Sequence, residues 1–385
     1  MKKPIYLDYN ATTPHDPDVV AAMRPYLEEH FGNPSSSHFY GKRTREAVET
    51  ARSQVASALG CLSEEIVFTG GGTESNNHAI RGIADALFSK GNHIITSQIE
   101  HPAVTAVCKF LERYGFETTY VPVDEFGLVD ASDVEKAVTP KTILITIMHA
   151  NNEVGTVQPI EEISQIARRK KIIFHTDAAQ SVGKIPAHVG TLGVDLLSIA
   201  GHKLYAPKGI GALYIRHGVE LTRFMHGAGQ ERGKRAGTEN VLEIVGLGKA
   251  CEIAAQELDA NMKRMRETRD RLYDYLRTHM KELRLNGHPE SRLPNTLNIS
   301  FPGVEAHMLL SAIEDRVAAS AGAACHSGEV RISSVLKAMN IPEEWARGAL
   351  RLTTGRMTTF DEVNTAARII SDAINRCKLN GRTER

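Results

Sequence analysis

The arrangement of apolar residues between about positions 17 and 250 is the feature that most constrains the fold. Short runs rich in Ile, Val and Leu alternate there with longer segments whose apolar residues recur at helical spacing. This alternation predicts a mostly parallel sheet with helices on both faces, because parallel strands are joined by helical crossovers. The predicted strands cover residues 65–69, 93–96, 118–123, 143–148, 172–175, 196–200 and 211–215, and the predicted helices cover 42–58, 74–89, 102–114 and 160–169. Ligands bind such sheets at the carboxyl ends of the strands, so functional residues are expected there.

The length of 385 residues allows two domains. A stretch of mixed polarity over 239–284 predicts one or two helices that lead into a smaller C-terminal part, which opens near 293–301 and closes with a helix over 360–377. We therefore predict an α/β fold with a large ligand-binding domain over residues 15–255. Residues 1–14 and 256–385 are predicted to form a small α+β domain.

Charge and cysteine content restrict the possible functions. Lys plus Arg and Asp plus Glu are both 46, so the formal net charge is +0 and favours neither nucleic acid nor an anionic membrane surface as partner. The N-terminus turns polar before a signal sequence could form, and the apolar runs are too short to span a bilayer. The 5 cysteines have no paired spacing, which argues against a disulfide framework or a metal site. A reducing compartment is indicated, and we expect the cytoplasm.

Lys203 and Asp177 each follow an apolar run that predicts a strand. Lys203 stands in Gly201-His202-Lys203, just before a Pro/Gly break, and Asp177 closes the preceding strand-like run. An amine that can form an imine, beside a carboxylate that can keep a ring nitrogen protonated, is what pyridoxal phosphate requires. Without further support, a solvated lysine and a turn or helix-capping aspartate explain the pair equally well.

Three further strand ends carry candidate groups. The glycine-rich turn 70–75 lies between a strand and a helix, so its backbone N–H groups at Gly72 and Thr73 could hold a phosphate. The alternative is a turn that only packs tightly. His101 could stack on a pyridine ring or could simply cap a helix. Asn152, in Asn151-Asn152-Glu153, could bond a cofactor oxygen or belong to an ordinary turn.

Cys325 and Arg351 are the candidate substrate groups in the C-terminal part. Cys325 ends a run of small residues and precedes His326, which predicts a thiol on a mobile loop with a base beside it. The other four cysteines lie in or beside apolar helical segments and are interpreted as core residues. Arg351 interrupts an apolar strand-like run, where its guanidinium could bind a substrate carboxylate or form a structural ion pair.

Taken together, these residues and their order resemble the pyridoxal-phosphate-dependent cysteine desulfurases of the class V aminotransferase superfamily, with the selenocysteine lyases as close relatives. The resemblance extends over nearly the whole chain. It is carried by residues 6–14, 32–36, 71–76, 100–101, 150–155, 175–180, 201–203, 229–232 and 235–240 and by the segment around Cys325.

The resemblance implies pyridoxal phosphate fold type I and a homodimer with the active site near the subunit interface. It also implies a role for each of the candidate residues. Lys203 would bind the cofactor covalently, Asp177 would pair with the ring nitrogen, and His101 would stack on the ring. Gln180 and Asn152 would address the phenolic oxygen, Thr73, Gly72 and His202 would hold the phosphate, and Thr238 would reach it from the other subunit. Arg351, with Asn152, would bind the substrate carboxylate, and Cys325 would be the nucleophile.

The activity implied by the resemblance is removal of sulfur from L-cysteine. Lys203 would take the α-proton, and Cys325 would attack the substrate sulfur, leaving alanine and a persulfide for an acceptor such as an iron–sulfur scaffold. One departure is Ala200, where many members of the family have a phosphate-binding serine. An apolar residue at this position resembles the selenocysteine lyases, so release of selenium from L-selenocysteine is the alternative function. A transaminase, or a scaffold that has lost its chemistry, is less compatible with the full residue set.

Overall fold

A seven-stranded sheet forms the centre of the fold in this computed structural model. The structure describes residues 3–326 and 329–383, except for the side chains of residues 323–331 and 378–383. After the short strand β1 (Ile5–Tyr6), the strands of this sheet in chain order are β2 (Ile66–Thr69), β3 (His93–Ser97), β4 (Glu117–Val121), β5 (Thr142–Thr146), β6 (Ile173–Asp177), β7 (Leu196–Ala200) and β8 (Gly211–Ile215). Their order across the sheet is β2-β8-β7-β6-β5-β3-β4. The five strands from β7 to β4 are parallel, whereas β8 runs antiparallel to both of its neighbours.

Helices cover both faces of this sheet because its strands are apolar on both sides. Successive residues face opposite layers: Ile94 and Leu144 pack with one hydrophobic cluster, and Ile95 and Ile145 pack with the other. The helices of this part are α1 (Pro17–Glu28), α2 (Phe39–Leu59), α3 (Gly72–Leu87), α4 (Pro102–Glu112), α5 (Ala131–Ala137), α6 (Ile160–Lys170), α7 (Val189–Leu192) and α8 (Val241–Gln256), with short 3₁₀ turns at Ser63–Glu65, Gly201–Lys203 and Glu231–Gly233.

The C-terminal part has its own antiparallel sheet and core. Its elements are α9 (Leu258–His279), β9 (Arg284–Asn286), β10 (Thr296–Ser300), α10 (Ala306–Ser311), β11 (Val317–Ala318), β12 (Ser320–Ala321), β13 (Ala323–His326), β14 (Glu329–Ile332), α11 (Ser334–Ala338), α12 (Glu343–Ala346), β15 (Ala349–Thr353) and α13 (Phe360–Thr383). The sheet order is β12-β15-β10-β9, and β13 and β14 form a separate hairpin. Strand β1 pairs in parallel with β11, and Leu7 lies in the core of this part. The domain boundaries at 15 and 255 remain a prediction.

The predicted mostly parallel sheet is confirmed, and the 196–200 and 211–215 strands have the predicted bounds. The sequence pattern does not single out α1, which contains Pro25, or α5, which is only seven residues long. The prediction of a loop at Cys325 was wrong for the backbone. Residue 325 lies on β13 and is in register with Val330 of β14, and the hairpin is anchored through Gly322, which bonds Ala349 and Ser333.

No helix within the described ranges combines the length and the apolar character that crossing a membrane requires.

Candidate active site

The carboxyl ends of the central strands surround a cavity of about 700 Å³. This volume is typical of a small-molecule site. The segments after β2, β3, β5, β6 and β7 each contribute to its wall, as expected for the edge of a parallel sheet. The N-terminal segment and β15 of the C-terminal part close the cavity. The predicted residues among those that line it are Gly72, Thr73, His101, Asn152, Asp177, Gln180, His202, Lys203 and Arg351.

Lys203 lies in the 3₁₀ turn directly after β7, with its amine inside the cavity. Its Nζ donates to the backbone carbonyls of Asn10 at 2.5 Å and Ala11 at 2.7 Å. Burial, with a further contribution from the positive charge of Arg351, lowers the pKa of Lys203 to about 8. The uncharged form of this amine, which is the form that reacts with an aldehyde, is therefore far more populated near neutral pH than in an ordinary lysine.

Asp177 is the last residue of β6, the strand next to β7. Its carboxylate is buried and accepts hydrogen bonds from Asn76 Nδ2 at 2.7 Å and from the backbone N–H of Ala179 at 2.9 Å. The Oδ1 atom of Asn76 is buried and has no hydrogen-bond partner in the described part of the chain. A buried carboxylate thus lies at the floor of the cavity, with an unpaired polar atom beside it.

His101 is both a helix cap and a cavity residue, so the two sequence interpretations are compatible. Its Nδ1 accepts from the backbone N–H of Ala103 at 3.1 Å at the start of α4. Burial lowers the pKa of His101 despite the opposing charge of Asp177. The preceding Glu100 is buried and accepts from Ser97 Oγ at 2.6 Å and from the backbone N–H of Met148, which ties the ends of β3 and β5 together. Burial raises the pKa of Glu100 to about 8.

The glycine-rich turn before α3 has the geometry of an anion site. Gly71 has φ of +136°, a conformation that residues with a Cβ rarely adopt, and the following helix has 16 residues. A Cβ placed on Gly72 would lie 3.0 Å from the Cβ of Ala200, so the turn packs against the end of β7. His202 also lines this cavity. Burial and the nearby lysines lower its pKa to about 4, so its imidazole is uncharged at neutral pH.

Arg351, on β15, is 13% exposed and is held by an ion pair. Its Nη2 donates to Asp8 Oδ1 at 2.9 Å and to Ser320 Oγ at 3.0 Å, and its Nη1 donates to the backbone carbonyl of Asn152 at 3.2 Å. Its Nε is buried without a partner among the described residues. The structural ion pair is therefore present, and these hydrogen bonds use three of the five N–H bonds of the guanidinium.

Two predicted residues are not placed in this cavity by the single chain. Thr238 lines a neighbouring pocket together with Gly70 and Arg235, and its role in the other subunit's site stays a prediction. The side chain of Cys325 lies outside the description. The base of its hairpin is attached beside the cavity, because Ser333 Oγ donates to Glu153 Oε2 at 2.5 Å and the Ser333 N–H donates to the carbonyl of Gly322.

Sequence reasoning missed the residue that connects most of these groups. Asn10 is 1% exposed, and its carbonyl accepts from both Lys203 Nζ and Gln180 Nε2. Its side chain bonds Asn295, Thr296 and Lys184. Asn10 lies within the matched segment 6–14, but its partners are far away in the sequence. Lys184 could have been noticed as a lone charge in an otherwise small and apolar stretch, four residues after Gln180.

This arrangement can hold an aldehyde on an amine, charge a ring nitrogen and bind an anion at a helix N-terminus. A family model of the class V aminotransferases matches residues 5–365. A cysteine desulfurase IscS of Dictyoglomus turgidum is 51% identical over 98% of this chain and 96% of its own length. A cysteine desulfurase IscS of Methanosarcina thermophila is 48% identical over 98% of this chain and 93% of its own length.

Solved structures agree with these sequence relatives. One described as a NifS-like protein has a TM-score of 0.90 and 38% identity, covering 97% of this chain and 99% of that one. Another, described as SspA in complex with cysteine, has a TM-score of 0.81 and 38% identity, covering 93% of this chain and 100% of that one. The likeness therefore includes both the large sheet and the C-terminal part.

Proposed function

This chain belongs to the class V aminotransferase family and is a cysteine desulfurase, and on that premise we propose that its cavity holds pyridoxal phosphate on Lys203 and that Cys325 receives the sulfur. The observation that supports this most strongly is the position of the Lys203 amine and the Asp177 carboxylate at the ends of adjacent strands within one cavity.

The residues present fit the cofactor. Lys203 supplies an amine whose pKa is lowered to about 8, and Asp177 supplies a buried carboxylate for the ring nitrogen. The turn at Gly72 and Thr73, with His202, would hold the phosphate, and the His101 ring would cover the face of the pyridine. Gln180 and Asn152 would contact the phenolic oxygen. When bound, the cofactor supplies an electron sink for the bonds at the substrate's α-carbon.

Lys203 would move the α-proton of the substrate. Once the substrate amine has taken its place, the Nζ atom is free again, and its lowered pKa lets it accept a proton near neutral pH. Arg351 would orient the substrate by binding its carboxylate. Asp8 and the Asn152 carbonyl hold the guanidinium in place for this, so its binding N–H is already positioned before the substrate arrives.

Cys325 would carry out the sulfur transfer. Its thiolate attacks the substrate sulfur and forms an S–S bond while the substrate's C–S bond breaks. The electron pair of the broken bond stays with the carbon skeleton, which takes up a proton and leaves as L-alanine. The Cys325 persulfide then passes its sulfur to the thiol of an acceptor protein, such as an iron–sulfur scaffold, by thiol exchange.

We further propose that the protein works as a homodimer, in which Thr238 of each subunit completes the phosphate site of the other. The location of Thr238 outside its own cavity supports this arrangement. Thiol chemistry of this kind requires a reducing compartment, and the cytoplasm is the location that we propose.

The test is to load the purified protein with pyridoxal phosphate, reduce it with borohydride and map the modified residue by mass spectrometry. Modification of Lys203 is expected, and modification elsewhere, or no binding, would contradict the proposal. Alanine is then measured with L-cysteine and with L-selenocysteine for the wild type and for Cys325→Ser. Loss of cysteine turnover in the variant is expected, whereas persistent turnover would exclude the persulfide route. A variant that still releases selenium would add lyase activity to the same site.

A further inference from the structure

Lys184 is a buried lysine to which the proposed reaction assigns no role. It is 4% exposed, and no carboxylate in the described part of the chain forms an ion pair with it. Burial, reinforced by the positive charges of Lys203 and Arg351, lowers the pKa of Lys184 well below its ordinary value. A buried lysine without a counter-ion is costly to a fold, so its retention beside an active site calls for a reason.

The contacts of Lys184 identify what it does. Its Nζ donates to Gln180 Oε1 at 2.7 Å and to Asn10 Oδ1 at 3.3 Å. These two acceptors match the two N–H bonds of an uncharged amine. The Nε2 of Gln180 in turn donates to the Asn10 carbonyl at 2.9 Å. The Asn10 carbonyl can only accept, so it assigns the nitrogen end of the Gln180 amide, and the amide oxygen then faces the Lys184 amine.

This assignment leaves one hydrogen of Gln180 Nε2 unused, and Gln180 lines the cavity. An amide nitrogen has two N–H bonds, of which the Asn10 carbonyl takes one. The remaining N–H of Gln180 is available to the cavity, where it can act only as a hydrogen-bond donor. Without Lys184, the amide oxygen would lose its buried partner, and the amide could turn its oxygen toward the cavity.

The local backbone is built to deliver Lys184 to this position. Gly183 has φ of +75°, and a Cβ on it would lie 2.1 Å from Leu204 Cδ1. Glycine is therefore required between Val182 and Lys184, where the chain turns close beneath the segment that carries Lys203.

We propose that Lys184 is a positioning residue that fixes the Gln180 amide as a hydrogen-bond donor toward the phenolic oxygen of the cofactor bound at Lys203. This inference rests on the proposed function, because it concerns the same cofactor. It makes Lys184 part of the site through Gln180, without contact to the substrate.

The inference predicts a spectroscopic change. A donor at the phenolic oxygen stabilises its negative form and so lowers the pH at which the yellow band of the loaded protein titrates. Any positive charge on Lys184 acts in the same direction. The other charged or titratable groups facing this region are unchanged in the variants below: Arg351, Asp8, Asp177, His101, His202, Lys208, Tyr205 and Arg356.

The experiment compares the loaded wild type with Lys184→Met and Gln180→Met. Cofactor affinity is measured by fluorescence quenching, and the titration midpoint is measured from the absorbance of the yellow band. Lys184→Met is expected to bind the cofactor about 3- to 10-fold more weakly and to raise the midpoint. Because Lys184 acts through Gln180, Lys184→Met in the Gln180→Met background should change the midpoint little further.

Lys141→Met, at an exposed lysine, is the matched control and should behave as the wild type. A Lys184→Met protein with unchanged affinity and midpoint would overturn the inference, and so would fully additive effects in the double variant. If Lys184→Met does not fold, the test depends on Gln180→Met. An unchanged titration midpoint in that variant would show that Gln180 does not donate to the phenolic oxygen, which would also overturn the inference. Failure of the wild type to bind the cofactor at all would instead contradict the proposed function.

Discussion

At the scale of single residues, the cavity concentrates positive charge around the reactive amine. Lys203, Lys184 and Arg351 lie close enough to influence one another, and Asp8 and Asp177 oppose them. Burial and the Arg351 charge together outweigh these carboxylates, since the pKa of Lys203 is lowered to about 8. The protein thus increases the uncharged fraction of this amine while keeping it in a charged site.

The lowered pKa of Lys203 predicts how cofactor capture depends on pH. Only the uncharged amine attacks an aldehyde, so the rate at which the apoprotein forms the yellow complex should rise with pH and level off above a midpoint near 8. Stopped-flow absorbance at a fixed cofactor concentration measures this rate. In Arg351→Met the midpoint should move upward, because a positive charge that favours the neutral amine is gone. A wild-type midpoint above about 10, the value of an ordinary lysine, would contradict this expectation.

Ala200 gives a second prediction at this scale. Its Cβ lies against the turn at Gly72, where the phosphate is proposed to bind. A serine hydroxyl in Ala200→Ser would add one donor there, worth about 0.5–1.5 kcal/mol, so cofactor binding should tighten up to about tenfold. Equilibrium dialysis measures the change. Ala200→Val adds bulk without a donor and should weaken binding. If Ala200→Ser binds no better than the wild type, the phosphate does not lie at this turn.

Single residues also show where prediction from sequence succeeds and where it stops. Lys203, Asp177 and His101 could be predicted because each follows a strand, and the ends of parallel strands meet. Asn10 and Lys184 could not be predicted in this way. The role of Asn10 depends on partners such as Thr353, which is 343 positions away, and no local pattern records such a contact.

At the scale of elements, the hairpin of β13 and β14 contains residue 325, the cysteine that is proposed to accept the sulfur. Its backbone is paired along its length, with Ala323 opposite Ile332 and His326 opposite Glu329. Small residues in sequence suggested a loop, because they lack the β-branched side chains that mark strands. The pairing arises from tertiary context, since Gly322 bonds both Ala349 and Ser333.

The contact at the base of this hairpin can be tested. Glu153 is partly buried, desolvation raises its pKa, and Ser333 donates to it. In Ser333→Ala this attachment is lost, so persulfide formation on Cys325 should slow by roughly 10-fold, the equivalent of about 1.4 kcal/mol, while cofactor affinity stays unchanged. Single-turnover trapping of the persulfide with an alkylating reagent measures the rate. Ser334→Ala is the adjacent control. Equal rates in Ser333→Ala and the wild type would show that the contact does not position the hairpin.

At the scale of the whole molecule, an exposed apolar patch near the N-terminal helices supports the proposed homodimer. It consists of Leu27, Phe31, Phe39 and Tyr40, of which Phe31 is 80% exposed and Phe39 is 76% exposed. Phe31 and Tyr40 stack with ring centroids 5.2 Å apart. Clustered exposed aromatic residues are typical of interfaces between subunits.

The patch predicts the effect of charge on association. Phe31→Asp with Phe39→Asp should shift the protein from dimer to monomer in sedimentation velocity, because two charges would be buried without partners. Cofactor affinity should fall in parallel, since each site then lacks Thr238 of the other subunit. Phe88→Asp, at another exposed phenylalanine, is the control and should remain dimeric. A double variant that stays dimeric would place the interface elsewhere.

The N-terminal segment has a consequence for how the protein is made. Residues 5–13 are translated before the elements that they contact, since strand β1 pairs with Val317–Ala318 and the Asn10 backbone bonds Thr353. The carbonyls that receive the Lys203 amine therefore reach their final places only after residue 353 has been translated. A nascent chain stalled before that point could complete the large sheet but would leave the proposed vitamin pocket unfinished, so we expect the cofactor to be loaded after translation of β15.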